Sequence, residues 1–483
     1  MFPVFAANKA RTDRQLGYDA VDERGRRRPI VVESRREEEI LDQNRRSKLN
    51  SGSRDLRRNF EVAAWMIRKH LDFVSRFRFQ SRTPDKGFNK ELEAFVELVS
   101  KRSAFEITGR HSRERAVRMM EAHRTVDGDI LAVKLNDGRV QLVEGDRIRD
   151  PMGAVPVQNG TRWAGGVRLN AQDAAVSYGV HRRKIGGGFE WEREVAARNA
   201  WLHGYFDRID QCRGVSPFSA SLARLTHVYE GLEYAHAKAK VQQLLGLLFL
   251  REYSPGDVGA IGTTTATSAD GEEASDDDTD APRYKVDLGR GIWSLEMEPG
   301  DKAEVLETKH PSNEFQSYTT LAMAIALKSL DIPFSFFDES HTNFHGSLRA
   351  LHLYIRSAKS KQEDNQELQS EWVEWRVAVA IRSGDLQLPS GWTIDDLQCQ
   401  FIPDGIPWWD KAKELRGDLI AIGAGLDNPQ RSCLERGVDF EENIDRIAEA
   451  LAYAREKLEV PFGMRLSFDA PPPEPVTVET TEQ

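Results

Sequence analysis

The chain has 483 residues, 40% of them hydrophobic and 30% charged, with a formal net charge of −10. That length allows roughly two to four domains at ~100–200 residues each, and the acidic balance excludes a protein that grips nucleic acid over its whole surface, which needs lysine and arginine against phosphate. Three scattered cysteines, Cys212, Cys399 and Cys433, have no zinc-like spacing and predict reduced thiols in a cytosolic protein. No signal peptide is expected in Met1–Ala7, and the longest apolar run, Leu244–Leu250, is far shorter than the ~20 residues of a membrane span.

Residues 1–60 are polar and arginine-rich, with Arg24, Arg26, Arg27, Arg28, Arg35, Arg36, Arg45, Arg46, Arg57 and Arg58 among Glu37, Glu38, Glu39 and Asp42. Mixed charge with few apolar anchors predicts an extended N-terminal arm. From Phe60 to Val74 the apolar residues Val62, Ala63, Met66, Ile67, Leu71 and Val74 recur at three and four, the mark of one helix face. Further helices are predicted over Lys90–Lys101 and Ser112–His123. Asn136-Asp137-Gly138 then separates Ile130–Leu135 from Arg139–Val143 and predicts a hairpin, because these residues accept the positive φ of the turn. Short strands and loops are expected as far as about residue 212.

Ser216-Pro217 is a helix-start signal, and Leu222, Leu225, Val228 and Leu232 mark a helical face that could run to Leu250. Residues 254–282 hold Asp270, Glu272, Glu273, Asp276, Asp277, Asp278 and Asp280 with no basic residue between them. They predict a disordered acidic insertion. Strands are predicted at Tyr284–Val286 and Trp293–Leu295, and long helices over Ser312–Leu330, Ser347–Ile381 and Asp439–Leu458. The last begins like a capping box, with Asp439 followed three later by Glu442. The proline- and threonine-rich tail is expected to be disordered.

Little in the sequence points to chemistry. There is no GxxxxGK[ST] phosphate loop and no GxSxG elbow. Gly186-Gly187-Gly188 lacks the strand-then-helix context of a phosphate cradle and predicts a turn. His341 and His345 are four apart but fall in a loop pattern, so no metal site is expected there. The acidic insertion lacks the loop geometry of a calcium hand. Trp372 and Trp375 have helical spacing with Leu368 and Val379, which predicts core rather than base stacking. The residues by themselves describe a large α+β structural protein with no catalytic, metal or cofactor site.

Several short motifs, taken in order, carry a resemblance. Arg54-Asp55-Leu56-Arg57-Arg58-Asn59 ends the basic segment. Arg208-Ile209-Asp210-Gln211-Cys212-Arg213-Gly214-Val215-Ser216-Pro217 precedes a helix. Pro311 and Phe315, Asn343 to Arg349, Gly384-Asp385-Leu386-Gln387-Leu388-Pro389, Trp409 to Glu414 and Glu435 to Glu442 follow in turn. This series, over about residues 40–460, resembles the lambda-type phage portal (head–tail connector) family. Asp210 stands where the family has a glycine, and the Trp409–Glu414 segment lacks the family's proline.

The resemblance implies an α+β portal-like subunit with an α/β wing, a helical stem, a β-rich clip and a helical crown. On this chain it assigns 1–60 to an arginine-rich arm, 61–111 to the N-terminal part of the wing and 112–125 to a stem helix. It assigns 126–214 to the clip and return strands, 215–252 to a second stem helix and 253–283 to the acidic insertion. Residues 284–390 become wing and tunnel helices, 391–436 a C-terminal wing segment, 437–460 a crown-type helix and 461–483 a disordered tail. It further implies a ring of twelve copies at one capsid vertex of the virion, assembled in the host cytoplasm without a membrane. Its expected partners are double-stranded DNA passing through the channel, a terminase packaging motor, a major capsid or scaffold protein and a head-completion or tail adaptor. Lys309, His310, Asn313 and Gln316 are the candidate DNA-channel residues. Arg57, Arg58, Arg208, Arg213 and Arg349 are the candidate subunit-interface residues. The competing expectations are another phage head or tail structural protein, and a metal-dependent nuclease.

Overall fold

The structure, a computed structural model, describes residues 36–153, 160–244, 247–251, 301–305, 313–338, 344–405 and 410–458. The acidic insertion, the two strands expected at 284–295, Pro311, His341, Trp409 and the tail lie outside the described residues. The chain divides into two compact units, one of Met1–Thr226 with Ala322–Gln483, the other of His227–Leu321.

The first unit opens with helices α1 (Glu37–Ile40), α2 (Gln43–Asn59) and α3 (Glu61–Val74). Residues 43–59 are therefore not extended, contrary to the expectation for the arm. The Asp42 carboxylate accepts from Arg45 N–H at 2.8 Å and caps the helix. Arg46, Asn50, Ser53 and Leu56, spaced by three and four, form its buried face. Three of those four are polar, so a search for apolar periodicity passes over this helix. α3 buries Ala63, Met66, Ile67, His70, Leu71 and Val74, as its pattern predicts. After β1 (Phe77–Ser81), helix α4 (Lys86–Val99) is capped by Asp85, which accepts from Gly87 and Phe88 N–H. α5 (Arg102–Phe105) leads to α6 (Arg113–Asp127), which packs on α3 through Ala122 and Val126 against Ile67 and Leu71.

The β region between residues 129 and 204 is two antiparallel sheets. One has the order β3 (Val140–Glu144), β2 (Asp129–Lys134), β8 (Ala200–Gly204). The other has the order β4 (Arg162–Ala164), β5 (Val167–Leu169), β6 (Ala175–Arg183), β7 (Phe189–Ala196). Side chains alternate along β2. Leu131 and Val133 enter a core shared by both sheets with Ile148, Val167, Leu169 and Val180. Ile130 and Ala132 enter a second core with Phe88, Leu92, Val96, Trp372 and Val377. This two-sided burial explains why β2 reads as a continuous apolar run. The predicted hairpin is present: Gly138 takes φ +82°, and the Asp137 carboxylate accepts from Arg139 N–H at 3.0 Å. Gly186, Gly187 and Gly188, all with positive φ, form the turn between β6 and β7.

α7 (Ser219–Leu244) and α8 (Asn313–Ala326) each contain one of the unit boundaries. α9 (Phe344–Ser383) is a single 40-residue helix, and β11 (Cys399–Pro403) returns to pair with β1, Phe79 opposite Phe401. Trp372 is buried and Trp375 packs against the same core. α10 (Lys411–Gly423), α11 (Pro429–Glu435) and α12 (Phe440–Leu458) close the described chain. The Asp439 carboxylate caps α12 by accepting from Glu442 N–H at 2.9 Å, while Glu442 pairs with Arg78 instead of completing a box. No helix among the described residues is long and apolar enough to cross a membrane.

In the second unit, β9 (Leu247–Arg251) pairs antiparallel with β10 (Asp301–Val305), Phe249 opposite Ala303. The helix predicted to run to Leu250 therefore stops at Leu244 and a strand follows. A short, unbroken apolar run fits either element, and here the partner strand decides.

Candidate functional site

Helix α6 passes into strand β2 through Asp127-Gly128-Asp129. Gly128 takes φ +97°, and its N–H closes the helix on Arg124 O at 3.0 Å. That conformation favours glycine. Space demands it as well, since a Cβ on Gly128 would lie 2.6 Å from Gly214 O, and one on Gly214 would lie 2.1 Å from Gly128 O. Two backbones from distant parts of the chain are thus in direct contact, with a buried aspartate on either side.

Each aspartate is held by an arginine from a different sequence motif. Arg54 Nε and Nη2 donate to the two Asp127 oxygens at 2.7 and 2.8 Å, and Nη1 donates to Asp146 at 2.9 Å. His123 Nδ1 lies 2.8 Å from the same Asp127 carboxylate. Burial alone would raise the pKa of Asp127, but the His123 and Arg54 hydrogen bonds outweigh it and hold the carboxyl below its usual range. Arg213 is fully buried. Its Nε and Nη2 donate to Asp129 at 2.6 and 2.8 Å, Nη1 to Ile148 O and Gly165 O at 2.9 and 2.5 Å, and Nη2 also to Gly145 O at 2.7 Å. All five guanidinium N–H groups are used. Burial opposes that charge, yet Asp129 more than offsets it and the Arg213 pKa is raised. Gly214 N–H adds a third donor to Asp129 at 2.9 Å, and Arg46 donates to Gly214 O at 2.6 Å.

The loop between β8 and α7 is fixed by its own motif. Gln211 accepts from Asp207 N–H at 3.0 Å and donates to Arg213 O at 2.6 Å. Ser216 donates to Thr125 O at 2.5 Å and accepts from Phe218 N–H at 3.1 Å. The predicted serine cap is therefore present three residues ahead of α7, and it also binds the loop to α6.

One turn back along α6 lies a second buried set. The Glu121 carboxylate, wholly enclosed, contacts His70 Nε2 at 3.0 Å and accepts from the Tyr205 hydroxyl at 2.8 Å and Asn365 Nδ2 at 3.0 Å. Arg124 Nε pairs with it at 2.9 Å, Arg124 Nη1 reaches Asp364 at 2.8 Å, and the guanidinium sits 4.1 Å from the Tyr205 ring centre. Burial resists the Glu121 charge, but Arg124 and His70 overcome it and the pKa falls. His203, bonded to Asn365 at 3.1 Å, is pushed down to about 4 by burial and then by Arg124. Burial likewise lowers His70, against the pull of Glu121. These groups tie α3, α6, β8 and α9 together. Among the described residues no group of three His, Cys, Asp or Glu side chains is placed to hold a metal ion. The arrangement is suited to holding the β region in one orientation on the helices.

The sequence-selected residues fall in different places. Arg213 is a correction: it is enclosed by its own subunit and offers nothing to a neighbour. Arg57 and Arg58 are exposed on α2 beside the Arg54 cluster. Arg208 is exposed and pairs with Glu37 and Asp210, each at 3.2 Å. Arg349 is exposed on α9, and Asn313 and Gln316 are exposed on the first turn of α8. Lys309 and His310 lie outside the described residues. Sequence reasoning missed Asp127, Asp129, Glu121, Arg124, His70, His203, Tyr205 and Asn365. The one signal for them was Asp-Gly-Asp between a helical pattern and a strand pattern.

The described residues define a mixed helix-and-sheet protein whose β region is locked to its helices by buried arginine–carboxylate pairs. Residues 25–375 match the sequence model of the phage portal proteins of the lambda family, and the chain belongs to that family. It is a portal protein, a virion component that forms an oligomeric ring at a capsid vertex. Among solved structures it is similar to a chain in the neck of an empty gene transfer agent particle computed with C6 symmetry. That match has TM-score 0.47 and 14% identity, covering 80% of this chain and 93% of the other. It is also similar to a chain in the virion of a native gene transfer agent particle, with TM-score 0.44 and 13% identity, covering 86% and 96%. No curated protein sequence matches it.

Proposed function

We propose that twelve copies of this chain form the conduit through which double-stranded DNA enters and leaves the capsid, and that the ring is the dock for the packaging motor and the tail connector. The observation that carries the reading is the joint at Asp127-Gly128-Asp129. The Arg54 and Arg208–Pro217 motifs meet there and fix the β region to α6 and α7. In this reading residues 126–214 are the clip that meets the motor, 112–125 and 215–252 the stem, and 437–460 the crown. The clip must not swivel while DNA is driven past it, and a bidentate arginine–carboxylate pair fixes direction as well as distance.

The net charge of −10 per chain, multiplied around a ring, repels a phosphate polymer and keeps DNA mobile. The few contacts it needs come from Lys309, His310, Asn313 and Gln316, and Arg57, Arg58, Arg208 and Arg349 serve contacts between subunits. Electron microscopy of the purified protein tests the ring: particles with a central hole are expected, and a monomer at all concentrations refutes it. For the channel, Lys309→Glu is expected to leave ring assembly intact and to lower packaging efficiency in a complementation assay. Normal packaging removes that assignment.

A further inference from the structure

The three-stranded sheet ends on β8, and among the described residues no strand pairs with its outer edge. Tyr205 N–H donates to Gly128 O at 3.0 Å, and the register sets His203 against Ile130 and Trp201 against Ala132. Hydrogen bonding alternates along an antiparallel strand, so the backbone groups of Leu202 and Gly204 point to the open side. That side is a groove of 560 Å3 between residues 200–207 and α9. Asp207, Asp364, Glu367 and Glu371 line it, and Arg124 is the one basic residue among its described lining, already bound to Glu121 and Asp364. Lys134 lies nearby, over the Trp201 ring and close enough to Glu371 to feel its charge.

An unpaired edge is a template for another strand, and an acidic lining selects a basic one. We infer that this groove receives residues 24–32 of a second copy of the chain, added as a strand beside β8. The segment carries Arg24, Arg26, Arg27 and Arg28, then Pro29, then Ile30, Val31 and Val32. Asp364 is already paired with Arg124 and Glu371 accepts from Trp201 Nε1, which leaves Asp207 and Glu367 to meet Arg26 and Arg28, which share one face of an added strand. The three β-branched residues have the highest strand preference, and Pro29, inside the segment, is tolerated in an edge strand where its missing N–H faces away from β8.

The second copy, rather than the same one, follows from two observations. Arg36, the first described residue, is held by Asp173 at 2.9 Å, at the turn before β6, against the four-stranded sheet and not beside β8. A closed ring of identical subunits also needs a patch and its complement on each subunit, and a strand passed to the next subunit provides both. The inference rests on the ring reading.

The test pairs Arg28→Cys with Glu367→Cys in the full chain, oxidised after assembly and run on a non-reducing gel. A covalent ladder of several subunits is expected in the double variant and in neither single variant. A link within one subunit overturns the inference, as does the absence of any link. In parallel, Leu202 and Gly204 amides are expected to exchange at least tenfold faster in assembled Arg26→Glu/Arg27→Glu/Arg28→Glu rings than in wild-type rings. Equal exchange overturns the inference. Images of the same samples separate the two readings: rings without a ladder defeat this inference alone, and a wild type that forms no ring defeats both.

Discussion

Replacing Arg213 with methionine removes the guanidinium and keeps most of its length. Five hydrogen bonds disappear, and the carbonyls of Gly145, Ile148 and Gly165 lose the buried donors they share with it. Asp129 keeps only Gly214 N–H. Removing one partner of a buried ion pair costs about 3–5 kcal/mol, because the other charge stays buried. At about 1.4 kcal/mol per tenfold, local opening of the joint becomes roughly a hundred to a few thousand times more populated. Native-state hydrogen exchange reads this directly. The Gly214 and Tyr205 amides, which donate to Asp129 and Gly128, are expected to exchange faster by that factor. The Arg82 amide, which donates to Gln398 O beside the β1–β11 pair, serves as the unaffected control. Adding Asp129→Leu to Arg213→Met should recover part of the loss, since an apolar replacement of both partners is often tolerated. If the joint amides of the single variant stay within about threefold of wild type, the pair does not hold the β region in place.

Gly214→Ala puts a Cβ 2.1 Å from Gly128 O; neither backbone can yield without moving a buried aspartate, so a destabilisation above about 3 kcal/mol is expected. A variant with wild-type yield and melting temperature contradicts the close contact. The second prediction concerns pH. His203 titrates near 4 when folded, against about 6.5 in an open chain. Between those values the unfolded chain binds a proton that the folded chain does not, so stability is complete above pH 6.5 and falls as pH drops toward 4, by about 2–3 kcal/mol. Urea midpoints at pH 7 and 4.5 should fall more in wild type than in His203→Gln, and equal falls remove His203 as the cause.

Elements with apolar periodicity were legible in the sequence. α3, α4, α6 and α9 lie within a few residues of their predicted spans, and the Asn136-Asp137-Gly138 turn is where its φ requirement puts it. What escaped was polar. α2 turns Arg46, Asn50 and Ser53 inward, so a pattern rule that rewards leucine and valine reads it as an arm. Arg213 looked like a surface contact because an arginine is seldom enclosed. Its burial depends on Asp129, 84 positions earlier, and no local pattern announces a pair that distant. The pairing of β1 with β11 is hidden for the same reason, with Phe77 opposite Pro403. The two arginine motifs were each found separately, and only the fold shows that they clamp neighbouring residues of one turn.

That convergence also explains why the joint is polar. An apolar contact is non-directional, and a sheet resting on helices through leucine and valine alone could slide or rotate at small cost. Arg213 reaches carbonyls on both sheets, Gly145 beside β3 and Gly165 beside β4, from a loop that runs straight into α7. Arg54 does the same for Asp127 at the end of α6 and Asp146 beyond β3. Each arginine therefore fixes helix and sheet by angle as well as by distance. The desolvation this requires is offset only while every donor is matched, so a rotated β region forfeits the whole set together. A joint of this kind suits a subunit that holds one shape within a ring.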